Sequence, residues 1–285
     1  MVQFLKNFFK SEKSFFFMVP ALAWQVSFCI LPLLFVIQLG FFSELFQGFT
    51  LSYVAQIFKL THFLVIFRSM FLASVTAILC LLAGYPVAYY VAIYAPQKIR
   101  SGLIFFIVLP FLTNLLVQVY AWFFILEKHG IFNKFLNSIG FEFGNLLNSQ
   151  FAMNLVMFHV YLPFMIMSLY PALEKINIRW IEASLDLGAS YFQTICRVVL
   201  PLTMHGVKAG FFLVYVTSFG EYAIPSLIAG QKNFFVGNLI SEYFFIGKDW
   251  HVGAAFTCLS SFVFIISIYG YQVLLNKLVE RLQKV

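Results

Sequence analysis

The chain is 285 residues long, 62% hydrophobic, 20% aromatic and only 10% charged, with a formal net charge of +7. Soluble domains carry about 25% charged residues, so this composition excludes an ordinary globular protein. The positive balance does not call for nucleic acid, because Lys and Arg accumulate on the cytoplasmic loops of membrane proteins.

Apolar runs predict six helical spans, at about 15–42, 63–94, 102–126, 151–173, 203–229 and 254–275. Each is long enough to cross a hydrocarbon core of about 30 Å. The fold class is all-α, since backbone groups in lipid must be satisfied internally and the runs lack the alternation of barrel strands. No linker or soluble domain interrupts them, so residues 1–285 read as a single transmembrane domain.

In chain order, the first span follows Lys6, Lys10 and Lys13. Ala21-Leu22-Ala23 resembles a signal-peptidase site, but only Phe15 to Pro20 separate it from Lys13, and the apolar run continues to Phe42. A retained span is expected there, not a cleaved signal. The second span carries Tyr85-Pro86 and the fourth carries His159 and Pro163, residues that serve packing or helix kinks. The fifth contains Gly220, Glu221 and Pro225.

Six spans put both termini on one side. Lys6, Lys10, Lys13, Lys98, Arg100, Lys175, Arg179, Arg197, Lys208, Lys277, Arg281 and Lys284 share that side, against Lys59, Arg68, Lys128, Lys134, Lys232 and Lys248 opposite. The positive-inside rule then makes both termini and the 174–202 loop cytoplasmic. The outer segments hold turn-formers such as Gly130, Gly140, Gly144, Gly230 and Gly247, with Trp122, Tyr222, Tyr243 and Trp250 near the expected interfaces.

The cysteines Cys29, Cys80, Cys196 and Cys258 form no CxxC pair, and the five histidines show no paired ligand spacing, so neither metal nor cofactor is expected. There is no phosphate-binding GxxxxGK[ST] loop and no GxSxG elbow. No catalytic residues are expected, and without that phosphate loop the chain cannot hydrolyse ATP by that machinery.

The most patterned stretch is the loop at 174–202. Glu182-Ala183-Ser184-Leu185-Asp186-Leu187-Gly188 is followed by Leu200-Pro201. A short amphipathic helix is predicted, with Trp180, Ala183 or Ser184, and Leu187 on one face and Arg179, Glu182 and Asp186 on the other. Gly188 would end it with φ > 0, and Leu200-Pro201 would open the next span.

This spacing resembles the EAA loop of ABC-importer permeases: Glu-Ala-Ala, a glycine four places later, then Ile-x-Leu-Pro. Glu182, Ala183, Ser184, Gly188, Val198, Leu200 and Pro201 fill those places, with Ser184 and Val198 as the departures. Tyr161-Leu162-Pro163-Phe164, Gly220 to Pro225, and Asp249-Trp250 before Gly253-Ala254-Ala255 are similar to the spermidine/putrescine importer subfamily. The resemblance implies a type I permease of a bacterial inner membrane, without enzymatic activity of its own. It also implies partners: a cytoplasmic ABC ATPase dimer gripping the loop, a second homologous permease, an extracytoplasmic solute-binding protein and the bilayer. Glu182, Ala183, Ser184, Asp186, Gly188, Leu200 and Pro201 are then the ATPase-coupling residues.

Glu221 is the only acidic side chain inside the expected spans. Insertion of an acidic residue at the bilayer centre costs about 2.5–3.5 kcal/mol, so Glu221 should face protein or water. Lining a pathway with Tyr161 and Tyr222, it would attract a cationic solute such as a polyamine. An ion pair with Arg68 or Lys59, or a protonated acid between helices, would account for it equally. Ferric iron or an oxyanion are the alternative solutes. A secondary transporter would need charge relays in several spans, and a membrane enzyme would need clustered nucleophiles or metal ligands.

Overall fold

A computed structural model describes residues 18–42, 48–140, 146–230 and 235–283, with backbone alone at 136, 278 and 281–283. Lys6, Lys10, Lys13, Gly144, Lys232, Lys284 and the side chain of Arg281 therefore lie outside the described residues. The principal helices are α1 (Met18–Phe41), α2 (Leu60–Tyr94), α3 (Gln97–Val108), α4 (Leu115–Leu126), α5 (Gln150–Glu174), α6 (Ile178–Asp186), α7 (Tyr191–Leu202), α8 (Met204–Phe219) and α9 (Trp250–Gln283). Among the described residues no strand forms beyond an isolated antiparallel bridge between Phe42 and Phe49. Among the described residues, five helical segments are long and apolar enough to cross a membrane, and the bent pair α7–α8 can supply a sixth.

The chain divides into two compact units, residues 1–59 with 242–262, and residues 60–241 with 263–285. In the first, α1 buries almost none of its side chains, and Trp24, Phe28, Leu33 and Leu34 are all exposed. Such a helix is stable only where lipid replaces water. Its end is the exception. A Cβ on Gly40 would lie 3.0 Å from the backbone nitrogen of Ala255, so only glycine lets α1 approach α9 this closely. His251 Nδ1 lies 2.8 Å from the Leu39 carbonyl, and its ring stacks on Tyr53 at 4.7 Å.

In the second unit the core is built by α2, α5 and α8. Helices in lipid gain little from the hydrophobic effect and associate through close packing of small residues. Here α2 buries Ala73, Thr76, Ala77, Cys80, Gly84 and Ala88 along one stripe. Against it, α5 buries Met153, Met157, Met165 and Leu169. On α8, Gly206 faces Ala172 and Gly210 faces Met165 and Ser168 of α5. Where α9 reaches this unit, Tyr215 hydrogen-bonds Ser267 at 2.9 Å and Phe219 stacks on Phe264 at 3.9 Å.

Two predicted spans are broken. Residues 102–126 do not form one helix. Helix α3 gives way at Val108 to a 3-10 turn, Leu109–Leu112, and α4 starts at Leu115. Pro110 lacks an amide donor and its ring crowds the preceding turn, so the α-helix stops there. The freed Pro110 carbonyl accepts from Thr113 Oγ1 at 2.7 Å and from Gln118 Nε2. Asn114 then caps α4, its Oδ1 accepting from the Leu116 amide at 2.8 Å. The crossing segment continues past 126, as Leu115–Phe135.

The span expected at 203–229 is likewise interrupted. Helix α8 ends at Phe219, and a separate π-helical turn covers Pro225–Ala229. Below it, the expected loop is almost wholly helical, and α7 meets α8 at a 75° bend. Leu200 and Pro201 thus lie in the last turn of α7, not at the opening of the long helix.

Candidate functional site

The 174–202 segment folds as helix, turn, helix. Asn177 caps α6, its Oδ1 accepting from the Arg179 amide at 3.1 Å. The helix ends in a Schellman motif: Gly188 takes φ +84°, its amide donates to the Leu185 carbonyl at 2.9 Å, and the Ala189 amide donates to the Ser184 carbonyl at 3.2 Å. A left-handed residue is required at this position, which is why glycine serves. Two residues on, Ser190 opens α7 with a capping box. Its Oγ accepts from the Gln193 amide at 3.3 Å, and Gln193 Oε1 accepts from the Ser190 amide at 2.9 Å. Both sides of the turn are therefore fixed by satisfied backbone groups.

The sequence divides α6 into two faces, and the structure shows which side is turned inward. The buried residue is Ile181, whereas Trp180 is 51% exposed and Leu187 is 88% exposed. Ser184 and Leu185, half-buried, share the face of Ile181 at i+3 and i+4. On this same side the Ser184 hydroxyl lies 3.0 Å from that of Thr194, a buried residue of α7, while Trp180 and Leu187 point away. Glu182, Ala183, Asp186 and Gly188 are all exposed, and so are Tyr191 and Phe192 beyond the turn. Among the described residues, neither Glu182 nor Asp186 forms an ion pair. Where α5 runs into this segment, Arg100 pairs with Glu174 at 3.7 Å, and the Tyr170 hydroxyl donates to the same carboxylate at 2.5 Å.

The second cluster surrounds the break after α8. Gly220 ends the helix, and Glu221 turns back to cap the next turn. Its Oε1 accepts from the amides of Ala223 at 2.9 Å and Ile224 at 3.4 Å. Its Oε2 accepts from the hydroxyl of Tyr161, a buried residue of α5. An ionised carboxylate is well placed at the amino end of a helical turn, where free N–H groups and the peptide dipoles point at it. Among the described residues, the ion pair of Glu221 with Arg68 or Lys59, one of the alternatives for it, is not seen. The Arg68 guanidinium lies over the Phe235 ring, 5.2 Å from its centroid. Tyr222, grouped with Glu221 and Tyr161 on sequence grounds, is half exposed and hydrogen-bonds neither.

Gly237 and Ser69, which sequence reasoning missed, complete this junction together with Gly230, already read as a turn-former. A Cβ on Gly237 would lie 2.8 Å from the Glu221 carbonyl oxygen, so glycine admits the short helix Val236–Ser241 against the break. Ser69 of α2 accepts from the Val236 amide at 2.9 Å and so caps that helix from outside. Gly230, at φ +70°, turns the chain where Asn148 crowds it. A mainly apolar cavity of about 370 Å³ is lined by Val108 and Phe111 near the third-span break, Pro163, Phe164, Met167 and Ser168 of α5, and Leu213 of α8. Among the described residues no His, Cys, Asp or Glu cluster is arranged to hold a metal ion.

Residues 84–281 match the family described as binding-protein-dependent transport system inner membrane component. The chain is 34% identical over 268 residues to the spermidine/putrescine transport system permease protein PotB of Haemophilus influenzae, covering 90% of this chain and 93% of the relative. It is 34% identical over 272 residues to PotB of Escherichia coli K12, covering 92% and 98% respectively. A solved structure of a bacterial ABC transporter involved in the import of the acidic polysaccharide alginate matches with a TM-score of 0.75 over 98% of this chain and 99% of that one. At 14% identity that match speaks for the fold alone. Both PotB relatives are transport permeases by name. The chain belongs to the inner-membrane components of binding-protein-dependent transport systems, the multi-pass permeases of ABC importers.

Proposed function

We propose that this chain is the permease subunit of a polyamine importer, forming part of the membrane pathway for spermidine or putrescine. The substrate is supported by similarity across nine-tenths of the chain to two permeases named for spermidine and putrescine. A carboxylate at the α8 break fits a cationic solute better than an oxyanion. In this reading a second, related permease completes the pathway, an extracytoplasmic binding protein delivers the solute, and an ATPase dimer supplies the energy. A partial match to the permease PotC of Escherichia coli, 35% identical over 71 residues, supports a related second chain.

The observation that carries the coupling role is the outer face of α6 and its turn. Trp180, Glu182, Asp186 and Leu187 are exposed on a rigidly capped helix, with apolar and acidic groups side by side. A helix gripped there by a closing ATPase would carry that motion into α5 and α8, which enter and leave the segment. The excess of Lys and Arg on this side supports a cytoplasmic location for both termini.

The test is ATP-dependent uptake of labelled spermidine and putrescine in cells lacking this chain, its partners being present. Lost uptake that the intact chain restores is the expected result. Uptake unchanged by deletion would overturn the polyamine assignment and turn the search to metal ions and oxyanions.

A further inference from the structure

Between the α6–α7 turn and the long helix α8 stands one residue with an unusual share of the hydrogen bonding. Thr203 occupies the 75° bend between α7 and α8 and is fully buried. Its Oγ1 donates to the carbonyls of Val199 at 3.0 Å and Leu200 at 3.3 Å, supplying a donor where the chain leaves the axis of α7. A threonine hydroxyl has one proton and two lone pairs. With the proton committed to these carbonyls, the oxygen can only accept from its remaining neighbour, the Tyr85 hydroxyl of α2, 3.0 Å away. Tyr85 is thus the donor, and it ties the bend to a different helix.

Packing confines the bend on a second side. Three residues into α8, a Cβ on Gly206 would lie 2.6 Å from that of Ala172, and the Ser168 hydroxyl donates to the Gly206 carbonyl at 3.4 Å. Helix α8 is therefore pressed against α5 immediately beyond the bend, while the bend itself is held to α2. Pro201, by contrast, offers no amide to the turn before it and weakens α7 just ahead of Thr203. The soft point of the path lies before the bend, and the fixed point is the bend itself.

We propose that Tyr85 and Thr203 form a pinned elbow. They are positioning residues that convert displacement of the α6–α7 segment into rotation of α8 relative to α2, instead of letting it dissipate in the turn around Pro201. This rests on the coupling role proposed for α6. Neither residue belongs to the exposed face offered to a partner, and neither touches the Glu221 junction. Their effect should therefore fall on the yield of transport per ATP, with assembly and solute binding unchanged.

The experiment uses the whole transporter, this chain with its partner subunits, in proteoliposomes. Labelled spermidine taken up is divided by ATP hydrolysed, and co-purification of the ATPase subunit is followed alongside. Tyr85→Phe and Thr203→Val each remove one hydroxyl while keeping the side-chain shape. Each is expected to lower the ratio roughly threefold to tenfold, the scale of one buried hydrogen bond. Thr203→Ser keeps the hydroxyl and should retain the ratio. The double variant should lose no more than Thr203→Val alone, because that substitution already removes the interaction lost in Tyr85→Phe.

Unchanged ratios in Tyr85→Phe and Thr203→Val, or losses that simply add, would overturn the elbow. Gly188→Leu in the same assay separates this from the coupling role. A fall with Gly188→Leu but not with Tyr85→Phe or Thr203→Val would leave α6 as the coupling helix and reject the elbow. A fall with the elbow variants but not with Gly188→Leu would keep the elbow and remove the α6 turn from the route.

Discussion

The hydroxyl of Tyr161 donates to the carboxylate of Glu221, sixty residues further along the chain, while the other carboxylate oxygen caps the turn that begins at Ala223. One side chain thus closes a helix break and fastens it to α5. The acceptor and the charge can be separated by mutation. Glu221→Ala removes both: losing a cap costs about 1 kcal/mol, and leaving the buried Tyr161 hydroxyl unpaired adds about 1–3 kcal/mol. The purified permease should then melt several degrees lower. Glu221→Gln keeps an oxygen for the Ala223 and Ile224 amides and should melt close to the parent, yet lose uptake of a cationic solute with the charge. A Gln variant as unstable as the Ala variant would show that the charge itself holds the joint.

Gly188 tests the turn separately from the surface around it. A Cβ there would meet no atom within 4 Å, so space is not the constraint. The constraint is the backbone at φ +84°, where a branched or bulky residue costs about 1–2 kcal/mol. Gly188→Leu is expected to distort the Schellman turn and uncouple ATP hydrolysis from uptake in a well-expressed protein. Gly188→Asn, which tolerates the left-handed region, should retain most of the transport. If Asn failed as badly as Leu, contact with a partner rather than backbone geometry would be what glycine provides.

Much of this was legible in the residues, for reasons that can be named. The spans follow from hydropathy, and the α6 turn follows from glycine at the right distance after an amphipathic run. Glu221 and Tyr161 could both be picked out as polar groups in apolar surroundings, but not their contact, because hydropathy says nothing about which helices are neighbours. Which face of α6 turns inward was not readable for a related reason. Trp180 and Leu187 are the larger apolar groups, yet Ile181 is the one turned in, on the side where Ser184 meets Thr194. The broken third span carried a readable sign in Pro110 and the capping residue Asn114, outweighed by the unbroken apolar composition around them. Ser190 and Gln193 have the spacing of a capping box and were equally readable.

The contact between α5 and α8 gives a prediction about packing. Gly206 and Gly210 approach Ala172, Met165 and Ser168 so closely that a Cβ would fall 2.6 Å and 2.7 Å from the nearest side-chain atom. At Gly210 that atom is the sulfur of a flexible methionine, which can move aside. At Gly206 it is the Cβ of Ala172, which cannot move without its backbone. Gly206→Val should therefore cost about 1–3 kcal/mol through overpacking, visible as reduced thermal stability and low yield, while Gly210→Ala should be milder. Equal losses at the two positions would mean that Met165 is as fixed as the backbone.

The Ser184–Thr194 contact separates a structural departure from a functional one. The permease motif resembled by this loop has alanine where Ser184 stands, so the hydroxyl is a feature of this chain and not a requirement of the turn. Its partner is buried, and a buried hydroxyl left alone costs about 1–3 kcal/mol. Ser184→Ala should consequently destabilise the α6–α7 arrangement, measured as faster proteolysis or amide exchange across residues 178–199. Thr194→Val alone should cost less, because half-buried Ser184 can turn its hydroxyl to water. The double variant should recover much of the loss from Ser184→Ala, since two apolar groups of similar shape then meet where two hydroxyls did. Additive losses in that cycle would show that the two hydroxyls act independently, and that the face of α6 is set by Ile181 alone.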